Sequence, residues 1–259
     1  MLVTRPGRDA RELAARLRAL GATPVVVPVM TRRRTAPDDV IADDLVNHAG
    51  DRAVVVFTSG HAVRLVAAAA RRAAFDLAGL GATVAAIGPA TAAALARAGR
   101  PADLVPDTFV AEAVADALVA RGVEGRPVWL PRAVEGRPVL PERLRAAGAV
   151  VTERHLYRTV TAARMAAPLA QALAAPLDAV TFTSGSTVRH FERLRQGRPL
   201  PRGCRVACIG PVTAAAARAA GHPVAIIAAE HTTSGLCCAL CAELDRGGVP
   251  SQPAAGGPP

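Results

Sequence analysis

Short runs of apolar residues alternate along the chain with longer stretches in which apolar residues recur at helical spacing. The runs VVVF at 54–57 and VAAI at 84–87 are apolar throughout, which is typical of strands buried on both faces. Small polar turns follow such runs, and the next stretch, as in ARELAARLRALG at 10–21, has helical periodicity and ends at glycine. This repeated order predicts an α/β fold with parallel strands and helices on both faces of the sheet.

The same pattern occurs twice. Three blocks recur in the same order at offsets of 125, 122 and 127 residues: VVVFTSGHAVRLV (54–66) with AVTFTSGSTVRHF (179–191), TVAAIGPATAAALARAGRP (83–101) with RVACIGPVTAAAARAAGHP (205–223), and LVTRP (2–6) with WLPRA (129–133). An offset near half the chain length is too long for a solenoid repeat. The duplication predicts two similar lobes, each a parallel sheet flanked by helices.

Two polar, proline-containing stretches, 31–39 and 158–168, predict where the chain crosses between the lobes. Domain 1 is then discontinuous, with residues 1–32 and 163–246, and domain 2 spans 33–162, including two linker strands. Two lobes linked by two strands are expected to leave a cleft between them, and ligands of such sheets bind beyond the carboxyl ends of the strands. The glycine- and proline-rich segment 247–259 is predicted to be a disordered tail.

Charge and composition exclude several classes of protein. The chain has 31 basic residues against 21 acidic ones, and every basic residue is arginine. Without lysine there can be no Walker A loop and no Schiff-base or pyridoxal-phosphate chemistry. The net charge of +10 is consistent either with a solvated arginine surface or with attraction to a polyanion, such as a small polycarboxylate. Aromatics make up only 3%, and no basic helix is visible, so nucleic-acid binding is not expected.

Targeting and metal signals are also missing from the sequence. The N-terminal segment MLVTRPGRDA has no apolar signal-peptide core, and no run approaches the ~18 apolar residues of a membrane helix. Five cysteines, an odd number, lie in the last quarter without the ligand spacing of a zinc site. These features predict a cytoplasmic protein with reduced thiols, no metal site and no membrane partner.

The turns after the strands are the candidate binding elements. Serine and threonine at these positions can cap the following helix, and the same hydroxyls and amides can bind an anion at a helix N-terminus. Both interpretations stay open at this point. The candidate residues are Thr58, Ser59, Gly60, His61, Gly88, Thr91, Thr183, Ser184, Gly185, Gly210 and Thr213.

These blocks, in this order and spacing, resemble the uroporphyrinogen-III synthase family over about residues 1–245. The similarity is carried by VTRP, VVFTSGHAV, AAIGPATAAAL, the segment LPRAVEGRPVLPERLRAAGAVVTERHLYRT, VTFTSGS, ACIGPVTAAAA and the late HTTSGL. The resemblance implies a two-lobed lyase of tetrapyrrole and heme biosynthesis. Such an enzyme cyclises the linear tetrapyrrole hydroxymethylbilane, with inversion of ring D and loss of water, and needs no cofactor. We expect a monomer.

The resemblance also implies roles for particular residues. Tyr157 matches the tyrosine proposed in the family to assist departure of the substrate hydroxyl. Ser184 and Thr213 match positions where the family places hydroxyls that contact substrate. Substrate binding is further expected of Arg5 and Arg132, which occupy equivalent turns of the repeat, and of Thr232 in HTTSGL. The sequence departs from the family at position 61, where histidine stands in place of a frequent arginine.

Two other functions would share the same turns and cleft. One is a two-lobe protein that binds a small anion without chemistry. The other is a synthase-like module that has become regulatory. Turnover of hydroxymethylbilane separates both from the enzyme.

Overall fold

The structure is a computed structural model that describes residues 1–246 of the 259-residue chain, so the predicted tail 247–259 lies outside the described residues. The strands are β1 Leu2–Val3, β2 Val25–Val26, β3 Met30–Arg34, β4 Val54–Phe57, β5 Thr83–Ala86, β6 Pro127–Ala133, β7 Val150–Thr161, β8 Ala179–Phe182, β9 Arg205–Cys208 and β10 Val224–Ile227. The helices are α1 Arg8–Ala19, α2 Asp38–Asn47, α3 Gly60–Arg72, α4 Pro89–Arg97, α5 Ala111–Ala120, α6 Val139–Ala146, α7 Ala166–Ala174, α8 Gly185–Arg195, α9 Pro211–Ala219 and α10 Thr233–Arg246.

The chain forms two compact units. Unit 1 contains residues 1–31 and 160–246, and unit 2 contains residues 32–159. Both passages between the units fall inside strands, one in β3 and one in β7.

Unit 2 is built on a sheet in the order β3-β7-β6-β4-β5. Within it, β4 pairs in parallel with β5 and β6, and β6 pairs in parallel with β7. Alternate residues of β4 enter two different apolar clusters, because successive side chains of a strand point to opposite faces. Val55 and Phe57 pack with residues of α2 and α3, whereas Val54 and Val56 pack with residues of α5 and α6. The sheet is thus buried on both faces, as the apolar runs predict.

Unit 1 has a sheet in the order β10-β9-β8-β1-β2, in which all neighbouring strands pair in parallel. The first strand of the chain lies beside β8, where Leu2 pairs with Val180. One face carries Leu2, Val180 and Phe182, which pack with residues of α7, α8 and α9, and the other face carries residues that pack with α1 and α10. The predicted α/β class, with two parallel sheets flanked by helices, is confirmed.

The duplication is visible in the packing of two helix pairs. In unit 2 a Cβ added at Gly60, the first residue of α3, would lie 3.3 Å from the methyl of Ala94 in α4. In unit 1 a Cβ added at Gly185 would lie 3.3 Å from the methyl of Ala216 in α9. Glycine thus permits the same close helix approach in both units, which accounts for its presence in both TSG turns.

None of the helices within residues 1–246 is long and apolar enough to span a bilayer.

Candidate active site of unit 2

Several candidate residues of unit 2 lie at the carboxyl end of its sheet. Strand β4 ends at Phe57, and Thr58 and Ser59 lead directly into α3. Tyr157 is on β7, where it pairs with Ala133, the last residue of β6. The parallel arrangement therefore brings the TSG turn and Tyr157 to the same edge of the sheet, although they are separated by about one hundred residues in sequence.

A hydroxyl pair forms the centre of this site. The Tyr157 hydroxyl and Ser59 Oγ are 2.9 Å apart, and either can be the donor. Ser59 is also the N-cap of α3, because its Oγ accepts a hydrogen bond of 3.1 Å from the backbone N–H of Ala62. Tyr157 is only 6% exposed and packs in the core cluster that contains Phe57 and Trp129. Helix capping and sheet packing together therefore fix the position of the phenol oxygen.

His61 packs against the phenol ring, and two arginines act on His61. The His61 ring packs edge-on against the Tyr157 ring, with centroids 4.5 Å apart and an interplanar angle of 84°. Partial burial, reinforced by the positive charges of Arg32 and Arg64, lowers the pKa of His61 from 6.5 to about 4. The imidazole is accordingly neutral near pH 7. It can hydrogen-bond a ligand, but it supplies no positive charge at this position.

The second turn of unit 2 has a different role in the fold. Gly88 is the residue before α4, which begins with Pro89 as the sequence predicts. A Cβ added at Gly88 would lie 3.1 Å from Cβ of Phe109, whose side chain is 56% exposed. Thr91, in the first turn of α4, is buried. Glycine at position 88 thus lets Phe109, in the loop before α5, pack closely against this turn.

Arg132 does not present the free charge that a substrate contact would need. It is 4% exposed, its Nη1 forms an ion pair of 3.0 Å with Glu153, and its Nη2 donates to the carbonyl of Arg137 at 2.7 Å. Its Nε is buried without a hydrogen-bond partner within residues 1–246. The side chain instead holds the turn between β6 and α6 against β7.

The candidates of unit 1 are mainly capping residues. Ser184 forms a complete capping box with Thr187 at the start of α8, and Thr232 Oγ1 accepts a 3.0 Å hydrogen bond from Gly235 N–H at the start of α10. Arg5 pairs with Asp9 at 2.5 Å and also donates to Thr233 at 3.4 Å.

The other candidates of unit 1 follow the same plan as those of unit 2. Thr183 precedes the capping serine, Gly185 begins α8, and Thr213 is buried in the first turn of α9. Gly210 precedes α9, where an added Cβ would lie 2.9 Å from the ring of His231.

Sequence reasoning missed two arginines of this site, Arg32 over the Tyr157 ring and Arg64 near His61. Arg32 belongs to a run of three arginines in the predicted crossover, and Arg64 follows the TSG turn by one helical turn. The run of arginines at 32–34 was a usable signal, because it lies in the predicted crossover, and a crossover strand can pair with the strand that carries Tyr157. Within residues 1–246, no group of three or more His, Cys, Asp or Glu side chains could hold a metal ion.

A family model described as uroporphyrinogen-III synthase HemD matches residues 11–238. The chain belongs to this family. The sequence resemblance is thereby confirmed, together with the assignment to porphyrin, tetrapyrrole and heme biosynthesis.

Individual relatives agree with the family match. The chain is 30% identical over 224 residues to a protein of Methanothermobacter thermautotrophicus provisionally named as a uroporphyrinogen-III synthase, covering 82% of this chain and 86% of that protein. It is 28% identical over 249 residues to the uroporphyrinogen-III synthase of Synechococcus elongatus, covering 93% of both. The crystal structure of a mutant uroporphyrinogen III synthase from Thermus thermophilus superposes with a TM-score of 0.63 at 23% identity, covering 95% of this chain and 98% of that one, which shows the shared fold.

Proposed function

We propose that this protein is a lyase that converts hydroxymethylbilane into uroporphyrinogen III, closing the macrocycle with inversion of ring D and loss of water. The observation that carries the proposal is the placement of the Tyr157 hydroxyl, which lies 2.9 Å from Ser59 Oγ at the carboxyl edge of a parallel sheet. Membership of the uroporphyrinogen-III synthase family supplies the substrate class.

The reaction begins when the terminal hydroxyl leaves the substrate. The nitrogen lone pair of the electron-rich pyrrole expels it, the C–O bond breaks with its electron pair going to oxygen, and a resonance-stabilised cation remains. Tyr157 can donate a hydrogen bond to the departing oxygen, while Ser59 Oγ holds the phenol in place. The remaining acceleration would come from holding the linear chain folded so that its ends meet, an effect of proximity.

The electrostatics around the phenol are compatible with a carboxylate-rich substrate. His61 is neutral, and Arg32 and Arg64 supply the nearby positive charge. The net charge of +10 also favours attraction of a polyanion. An absence of cofactor, a monomeric state and a cytoplasmic location belong to the same proposal, supported by composition and by the family's chemistry alone.

The direct test is incubation with freshly prepared hydroxymethylbilane, followed by oxidation and separation of the type I and type III isomers. Unassisted closure gives type I, because ring D is not inverted. Type III product is the expected result. A folded preparation that yields only type I would refute the proposal, and it would favour one of the non-catalytic alternatives, an anion-binding protein or a regulatory module.

A further inference from the structure

The side chain of Arg32 lies across the face of the Tyr157 ring. Its guanidinium carbon is 5.9 Å from the ring centroid, within the range of a cation–π contact. This contact follows from the fold of unit 2, because β3 lies beside β7 and the backbone N–H of Thr35 donates to the carbonyl of Leu156 at 2.9 Å. Arg32 therefore approaches the same ring whose hydroxyl is held by Ser59.

Arg32 differs from Arg34 in having no ion pair among the described residues and from Arg33 in lying over the Tyr157 ring. The guanidinium of Arg34 already has partners, since it donates to the carbonyl of Ala36 and forms an ion pair with Asp38. Arg32 forms no ion pair with a carboxylate within the described part of the chain. An arginine in cation–π contact with a ring can still donate its N–H groups to a carboxylate. The guanidinium of Arg32 lies over the Tyr157 ring and has no carboxylate partner among residues 1–246, so its N–H groups remain available for an anionic ligand.

A second arginine strengthens the positive potential at the same place. Arg64 lies one helical turn after Gly60 on α3, and it has no ion-pair partner within residues 1–246. His61 packs against Tyr157 and is close enough to both arginines for their charges to act on it. Burial lowers the pKa of His61, and the positive charges of both guanidinium groups lower it further.

We propose that Arg32 binds a carboxylate of the substrate beside the Tyr157 hydroxyl and thereby positions the terminal pyrrole for loss of its hydroxyl group. This inference rests on the proposed function and deepens it. The proposed contact is made by a residue within β3, whereas most of the candidates predicted from the sequence lie in the turns that follow the strands. Arg32 would act on the position of the substrate, whereas Tyr157 would act on the departing oxygen.

The kinetic test compares Arg32→Gln with the matched control Arg33→Gln. Arg33 is the next residue of β3, is exposed and points to the other side of the strand, so its replacement removes the same charge from the same strand. Loss of one charge-assisted contact should raise the KM of Arg32→Gln for hydroxymethylbilane by roughly 10- to 100-fold. Arg33→Gln should stay within about twofold of the wild type, and Arg32→Lys should recover part of the loss because it restores the charge without the planar fork. Equal KM values for both glutamine variants would overturn the proposal.

A second measurement does not depend on turnover. The pKa of His61 is followed by NMR in the free protein and with uroporphyrin III, a stable octacarboxylate probe. Arg32→Gln should raise the pKa of His61 in the free protein, since it removes a nearby positive charge, and Arg33→Gln should change it less. Binding of the probe should raise the pKa of His61 in the wild type, and Arg32→Gln should weaken that binding about tenfold or more.

The isomer assay and the probe-binding measurement distinguish failure of the proposed function from failure of the Arg32 carboxylate site. A wild-type protein that forms only type I product but binds the probe through Arg32 refutes the proposed function and supports the carboxylate site. Normal type III formation with equal probe binding by Arg32→Gln and Arg33→Gln refutes the role of Arg32 and leaves the proposed function standing. Failure of the wild type to bind the probe also refutes the carboxylate site. Thermal unfolding of each variant checks that it is folded.

Discussion

At the scale of single residues, Tyr157 combines a structural role with the chemical role that we propose for it. Its ring is part of the unit 2 core, and its hydroxyl reaches Ser59 at the edge of the sheet. The ring and the hydroxyl can be separated experimentally, because Tyr157→Phe removes only the oxygen.

We expect Tyr157→Phe to lower turnover by roughly 5- to 150-fold, equivalent to about 1–3 kcal/mol of transition-state stabilisation. The free energy of unfolding should fall by no more than about 1 kcal/mol, since Ser59 Oγ keeps its hydrogen bond from Ala62 and the ring still packs. Turnover and melting temperature should be measured on the same preparation. Unchanged turnover would make Tyr157 a purely structural residue.

The lowered pKa of His61 predicts how stability depends on pH. The folded-state value of about 4 lies below the unfolded value near 6.5, so between these limits the unfolded state binds more protons. Stability should therefore fall as pH decreases from about 6.5 to about 4, and the contribution of His61 should be constant below that range. Replacement by His61→Gln should flatten the dependence in this window, as measured by urea unfolding at several pH values. Parallel curves for the two proteins would contradict the assignment.

Arg132 and Arg5 occupy equivalent positions of the duplication but different environments. Arg132 is buried and shared between Glu153 and the carbonyl of Arg137, whereas Arg5 pairs with an exposed Asp9. We expect Arg132→Gln to lower the free energy of unfolding by about 2–3 kcal/mol, and Arg5→Gln by no more than about 0.5 kcal/mol. Chemical denaturation of both variants tests this, and equal losses would show that burial of Arg132 does not matter.

At the scale of elements, the N-terminal turns of the helices explain much of the sequence pattern. Ser59 and Ser184 cap α3 and α8, and Gly88 and Gly210 precede prolines that begin α4 and α9. The capping function predicted for these turns is thus present in both units. An anion contact by the same residues stays a prediction, since a capping oxygen is already in use.

Gly235, at the start of α10, packs closely against the backbone of Glu230, and a substitution there tests how much this close packing contributes to stability. A Cβ added at Gly235 would collide with the backbone carbonyl of Glu230 and would lie 2.8 Å from the Cβ of Glu230. We expect Gly235→Ala to destabilise the protein by about 1–3 kcal/mol, because backbone must move to relieve the overlap. The matched control is Gly50→Ala, since an added Cβ at Gly50 has no heavy atom within 4 Å. Urea unfolding should separate the two variants, and an equal effect would contradict the packing argument.

At the scale of the whole molecule, the two units have separate hydrophobic cores. Two apolar clusters consist only of residues from 32–159, and the other two consist only of residues from the rest of the chain. The segment that holds unit 2 begins and ends in neighbouring strands, β3 and β7. A continuous piece of chain therefore contains a complete sheet with both of its helical layers.

We expect a fragment spanning residues 30–161, which keeps β3 and β7 whole, to fold without the rest of the chain. Its helix and strand signals in circular dichroism should unfold cooperatively in urea, because its core is complete and its size is that of an ordinary domain. A fragment that unfolds without a cooperative transition would show that unit 2 depends on unit 1 for its stability.

Local chemistry in the sequence determined the α/β class, the duplication and the positions of the turns. Apolar runs, helical periodicity, proline at helix starts and serine at helix caps act over a few residues, so they can be read along the chain. The order and spacing of the motifs also carried the family resemblance, and that resemblance made Tyr157 a candidate.

Only the tertiary structure decided which side chains meet. Arg32, Ser59, His61 and Tyr157 come together because β3, β4 and β7 belong to one sheet, and no local signal specifies that sheet order. Burial of Arg132 beside Glu153 likewise depends on the pairing of β6 with β7. The repeat alone could not distinguish it from Arg5, because equivalent positions in a duplicated sequence can differ in burial, and burial determines whether a charge is available to a ligand.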